Sequence, residues 1–176
     1  MFEIKFKIFN SFIEEGDTLK GEYGYFIFNI HDKCYGEYME EIDLDILSMN
    51  IYNWFINFME SIQFFENKNR VYISDVETPN VWIKMINKDD KNIQISEIRA
   101  EKPEGSKAVE TDVDLVEQYI VWEKTVGFGE VVRELTYKGN QYLSELKKIN
   151  NKDNKYIQEL ETMIHNLKTY EMKILC

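Results

Sequence analysis

The chain has 176 residues, of which 44% are hydrophobic and 30% charged, and 32 acidic against 21 basic side chains leave a formal net charge of −11. This composition is typical of one globular domain and argues against a disordered or fibrous chain. The acidity argues against binding to nucleic-acid phosphates or to anionic membranes, and it favours a basic partner. The sequence lacks an apolar run of the length needed for a membrane span, and its first ten residues do not resemble a signal peptide, so we expect a cytoplasmic protein.

The first third of the chain predicts strands followed by one helix. Charged and apolar residues alternate over residues 2–9, and aromatic and β-branched residues dominate 19–30, so both segments are predicted strands. A third strand is expected over 34–39, paired back as a hairpin. From Asp43 to Phe65 the apolar residues follow a helical period, and Asp43 is the predicted N-cap. The apolar residues, which include Ile46, cover most of this helix, so we expect it to pack against a sheet.

The middle of the chain returns to strand patterns. Three short β-branched segments, at residues 70–76, 81–86 and 93–98, predict an antiparallel meander. Hydrophobicity then falls over residues 100–114, which we interpret as a surface loop. A last strand is predicted over 119–126.

The C-terminal quarter is predicted to be helical. Apolar residues spaced alternately by three and four run from Val132 to Ile174. The Asn-rich segment 150–154 favours two helices folded as an antiparallel pair over one long helix. We therefore expect an α+β fold, with an antiparallel sheet of about six to seven strands packed by one very apolar helix. Residues 1–149 would form this domain, and residues 150–176 a helical extension that packs back on the domain or forms a dimer seam.

The densest acidic run joins the third predicted strand to the helix, and residues 1–66 carry 13 acidic and 4 basic residues. The run consists of Glu37, Glu40, Glu41, Asp43 and Asp45. One interpretation is a solvated corner in which the carboxylates favour the helix dipole. The other is an electronegative edge that binds a basic partner.

Catalytic, cofactor and metal sites are not predicted. Cys34 and Cys176 are too far apart in sequence to indicate a disulfide framework or a metal-binding pair, and His31 and His165 lie in different segments. An alternative is a small-molecule-binding protein or enzyme with a site lined by Trp82, Trp122 and nearby carboxylates.

Several short aromatic and polar segments follow one another in a characteristic order along the chain. The landmarks are 24–28 (GYFIF), Glu37, 52–54 (YNW), 72–79 (YISDVETP), Trp82, 95–98 (ISEI) and 141–143 (QYL). Their order resembles that of small Firmicutes proteins similar to the Wap-type immunity proteins, which neutralise polymorphic contact toxins.

The resemblance covers residues 2–149 and implies a non-enzymatic inhibitor that binds a cognate toxin. The segment after Asn150 departs from that pattern. A different class of function also fits the residues, namely a homo-oligomeric structural or regulatory protein that uses the helical seam as its interface.

Overall fold

The computed structural model describes residues 1–9, 18–65, 67–111, 113, 115–151 and 153–174, with the side chains of residues 173 and 174 left aside. Nine strands and three α-helices occur within these residues. In chain order they are β1 (Phe2–Ile8), β2 (Tyr23–Ile30), β3 (Lys33–Glu37), β4 (Met49–Asn50), α1 (Ile51–Phe64), β5 (Arg70–Ser74), β6 (Val81–Asn87), β7 (Asn92–Ala100), β8 (Val109–Glu110), β9 (Glu117–Gly127), α2 (Phe128–Ile149) and α3 (Lys155–Ile174). The α+β class, the antiparallel strand pairing and the helical C-terminus are confirmed.

The strands form two antiparallel sheets rather than the single sheet that we predicted. The first has the order β1-β2-β3, with β4 paired to the beginning of β2, and the second has the order β8-β5-β6-β7-β9. In the sequence, helix α1 follows the strands of the first sheet and precedes those of the second. Local alternation identifies a strand but not its hydrogen-bonded neighbour, so the division into two sheets could not be read from the sequence.

Helix α1 lies at the centre of the molecule. Trp54 stacks on Phe26 of β2 at 5.8 Å between ring centroids, and Phe55 stacks on Tyr142 of α2 at 5.1 Å. The helix also contacts β5 of the second sheet and helix α3. Each large apolar side chain that is fully buried in this way stabilises the fold by about 1.5–3 kcal/mol. The apolar surface of the predicted helix is therefore covered by both sheets and both C-terminal helices.

The helix starts later than predicted. Asn50, not Asp43, is the N-cap, and its side-chain oxygen accepts a hydrogen bond of 2.8 Å from the backbone N–H of Asn53. Asp45–Leu47 form a short 3-10 turn, and Met49–Asn50 pair with β2. The acidic run therefore does not lie at the N-terminus of a helix, and its interpretation as a corner stabilised by the helix dipole is wrong.

The two C-terminal helices form a hairpin, which is the hinged pair that the Asn-rich segment favours. Lys147 of α2 pairs with Glu161 of α3, and Lys168 donates a 3.2 Å hydrogen bond to Asn140. Four apolar residues of α3 are buried against the rest of the chain: Ile157, Leu160, Ile164 and Leu167. Because one chain already buries this seam, a dimer through it would first require the helices to separate.

The segment after β7 covers the outer face of the second sheet. Its short strand β8 pairs with β5, so part of the predicted loop is a strand. Trp82 is buried there in a small cluster with Val113 and Leu115, whereas Trp122 belongs to the main core. The two tryptophans lie in separate clusters, so they do not line one common site. In the part of the chain described, we find no helix with the length and apolar character needed to cross a membrane.

Candidate protein-interaction surface

Residues 37–47 run from the last residue of β3 to the end of the 3-10 turn that precedes β4, and we call them the acidic segment. All five predicted carboxylates are exposed here. Asp43 forms an ion pair of 2.7 Å with Lys7 of β1. Among the residues that the structure covers, Glu37, Glu40 and Glu41 have no ion-pair partner. The structure thus exposes all five predicted site residues within one segment that carries a net negative charge.

Side chains of the first sheet hold the backbone of the acidic segment. The buried hydroxyl of Tyr25 donates to the carbonyl of Ile42 at 3.0 Å and accepts from the N–H of Leu44 at 2.9 Å. The ammonium of Lys7 donates to the carbonyl of Glu40 at 2.8 Å. Since these bonds satisfy backbone groups of the segment, its side chains are presented to solvent on an ordered backbone. An ordered surface loses less conformational entropy when it binds a partner.

Three large apolar side chains of the acidic segment are also exposed, and the sequence reasoning missed them. Ile46 is 90% exposed, Ile42 52% and Met39 37%. We expected Ile46 to be packed on the helix, but the 3-10 turn that precedes β4 directs it outward. Exposed apolar groups rimmed by charges are typical of interaction surfaces. One sequence feature could have indicated this exposure: Ile42 and Ile46 each directly follow an acidic residue.

A groove opens beside the acidic segment, between the two sheets. Its volume is about 340 Å³. It is lined by Tyr35, Gly36, Glu37, Ile46, Leu47, Ser48, Met49, Asp75, Glu77, Thr78 and Arg99. Glu37 and Ile46 belong to both features, so the groove and the acidic segment form one continuous surface.

Asp75 follows β5 in the groove and is a structural carboxylate, only 1% exposed. It accepts hydrogen bonds from the backbone N–H groups of Glu77 at 2.8 Å and Thr78 at 3.1 Å, and from the hydroxyl of Tyr35. Burial raises the pKa of Tyr35 far above its usual value, and the charge of Asp75 raises it further. The Tyr35 hydroxyl therefore remains a proton donor to Asp75, and the three bonds fix the turn that carries Glu77.

Two cations near the groove, Arg99 and Lys102, have hydrogen-bond partners, although the buried Nε of Arg99 has none among the described residues. Arg99 donates to the Glu97 carboxylate at 3.1 Å, and the indole N–H of Trp122 binds the same carboxylate at 2.8 Å. Lys102 donates to the backbone carbonyl of Asp75, and burial lowers the pKa of its ammonium. The nearby positive charges consequently leave the rim carboxylates Glu37 and Glu77 without an ion pair in the residues described.

Glu77 lies at the exposed rim of the groove. One of its carboxylate oxygens accepts a 2.9 Å hydrogen bond from the backbone N–H of Asn50. Partial burial of the carboxyl group raises the pKa of Glu77; the bond from Asn50 opposes this increase, and repulsion by Asp75 adds to it. Most of this increase comes from removal of the carboxyl group from water, and the negative charge of Asp75 adds a smaller part.

Comparison with protein-family models, with curated proteins and with solved structures gives no match to this chain. Nor do the described residues bring together three His, Cys, Asp or Glu side chains in a group that could hold a metal ion. The resemblance to Wap-type immunity proteins consequently depends on the order of sequence landmarks.

Proposed function

We propose that this protein is an acidic protein-binding module of the immunity type, which neutralises a cognate toxin by covering a basic surface of that toxin with the acidic segment. The observation that carries the proposal is the exposure of Ile42 and Ile46 in a segment where Glu37, Glu40 and Glu41 have no ion-pair partner among the described residues. Such inhibition needs tight binding and no turnover.

The two kinds of side chain would contribute differently to binding. The carboxylates attract a basic protein over distances of about the Debye length, roughly 10 Å at 0.1 M salt, and so accelerate association. The apolar side chains contribute free energy when they are removed from water, about 25 cal/mol per Å² of apolar surface buried. A partner that offers cationic groups around an apolar patch would match both.

The test uses the purified product of the neighbouring open reading frame, since an immunity gene is expected beside its toxin gene. Isothermal titration should detect a complex whose affinity falls between about 50 mM and about 300 mM NaCl. Neutralising Glu37, Glu40, Glu41, Asp43 and Asp45 to their amides should lower the association rate by about tenfold or more. Ile46→Ser should mainly raise the dissociation rate.

A matched control separates a local surface from overall charge. Amide substitutions at Asp90, Glu101, Glu104, Glu145 and Asp153 change the net charge equally at exposed sites outside the acidic segment. This variant should associate nearly as fast as the wild type. Absence of binding by the neighbouring gene product, or an equal loss in both variants, would contradict the proposed function.

A further inference from the structure

We propose that the groove receives one lysine or arginine side chain of the basic partner. This inference rests on the proposed function and specifies a contact within that interface. It follows from the shape, the lining and the charge balance of the groove.

The lining of the groove suits a side chain with an apolar stem and a cationic end. Ile46, Leu47 and Met49 form an apolar wall, and Glu37 and Glu77 bring carboxylates to the same groove. Lys and Arg bury their methylene stems against apolar surface while the charged end keeps polar contacts. The volume of about 340 Å³ accommodates such a side chain.

The charge balance of the groove favours a cation from outside. Arg99 is paired with Glu97 of its own strand, and Lys102 binds a backbone carbonyl while its ammonium lies 5.9 Å from the ring centroid of Trp82. Glu77 accepts only one backbone hydrogen bond within the described residues, through Oε1, so its other carboxylate oxygen can accept from a partner. A charge-assisted bond of this kind is about twice as strong as a neutral one.

Asp75 fixes the place at which a cation would bind, because it holds the turn that carries Glu77. Its bonds to the Glu77 and Thr78 N–H groups hold the rim on one side, and the turn at Ile46 holds the other. A cation that enters between the two walls therefore meets carboxylates on an ordered frame. The exposed carboxylates of Glu40 and Glu41 lie outside the set of residues that lines the groove.

The direct experiment titrates ¹⁵N-labelled protein with three blocked tripeptides, Gly-Arg-Gly, Gly-Lys-Gly and Gly-Gln-Gly. The two cationic peptides should shift amide resonances of Leu47, Glu77 and Thr78, and the glutamine peptide should not. The arginine and lysine arms distinguish the two cations. Shifts confined to residues 39–45, or equal shifts with the glutamine peptide, would overturn the inference.

Two matched variants separate the groove from general electrostatics. Glu77→Gln removes the charge but keeps an oxygen that can accept from Asn50, and it should weaken cationic peptide binding about fivefold or more. Glu60→Gln removes another carboxyl whose pKa is raised by burial, on α1 and outside the groove lining, and should leave binding unchanged. Glu37→Gln provides a second groove variant if Glu77→Gln does not fold.

The same variants distinguish this inference from the proposed function. If the neighbouring gene product binds and neither Glu77→Gln nor Glu37→Gln changes its affinity by more than about twofold, the groove inference is wrong while the proposed function stands. If that product does not bind but the cationic peptides occupy the groove in a Glu77-dependent way, the proposed function is wrong and the cation preference of the groove is supported.

Discussion

Two carboxylates that are two residues apart have different roles in this protein. Asp75 is buried and accepts three hydrogen bonds, which makes it part of the fold. Glu77 is at the surface, and the protein around its carboxyl group raises its pKa. A residue whose charged form is disfavoured by the fold but remains accessible is a candidate for binding.

Glu77→Gln should therefore change the pH dependence of stability in a defined direction. A raised pKa means that the folded protein binds the proton more tightly than the unfolded chain does, so Glu77 lowers the free energy of unfolding as pH rises through and above its normal value of 4.5. The variant should lose this decrease and be at least as stable as the wild type near neutral pH. Urea unfolding from about pH 4.5 to about pH 7 measures the difference.

A wild-type-like pH profile in Glu77→Gln would contradict this account of the carboxyl group. Lower stability of the variant at every pH would instead show that Glu77 stabilises the fold. In that case a weaker peptide affinity of Glu77→Gln would reflect the loss of stability as well as the loss of a binding contact.

At the scale of elements, the turn between α2 and α3 is held by asparagine side chains. Asn150 donates to the carbonyls of Lys20 at 2.8 Å and Leu146 at 3.0 Å, and it accepts from the N–H of Lys20 at 2.8 Å. Asn154 donates to the carbonyl of Thr18 at 2.7 Å. The sequence predicts a turn here from the residue type, but Lys20 and Thr18, which anchor it to the rest of the fold, lie more than a hundred residues away.

Asn150→Ala should destabilise the protein because it removes the side-chain partner of both backbone groups of Lys20, the N–H and the carbonyl. We expect a loss of about 1–3 kcal/mol in the free energy of unfolding. Asn151→Ala is the matched control, since Asn151 is exposed and should change stability by less than about 0.5 kcal/mol. Equal effects of the two substitutions would show that turn propensity, and not these bonds, determines stability here.

At the scale of the whole molecule, α1 lies in the core between two sheets and is also packed by the C-terminal hairpin. Leu160 and Leu167 of α3 are fully buried in that core. Sequence spacing identifies the apolar seam of α3, but it does not tell whether the same chain or a second copy covers it. In the structure, one chain buries both leucines.

Leu160→Ala should cost about 2–5 kcal/mol of stability through loss of apolar contacts and formation of a cavity. Met172→Ala, at a side chain that is 62% exposed, should have little effect. Urea unfolding measures both, and light scattering records the mass of each variant. A Leu160→Ala protein that keeps its stability but has half the wild-type mass would contradict the intramolecular role of the seam.

The sequence by itself determined what depends on neighbours along the chain: the strand alternation, the apolar character of α1, the Asn-rich turn and the concentration of acidic residues. Tertiary structure decided what depends on distant partners. Met49 and Asn50 pair with β2, so the helix begins at Ile51 and not directly after Asp43 as predicted. Ile46 therefore lies outside the helix and is exposed. The groove exists because residues near 35, 47, 75 and 99 meet between two sheets, and a local pattern carries no information about which distant segments pack together.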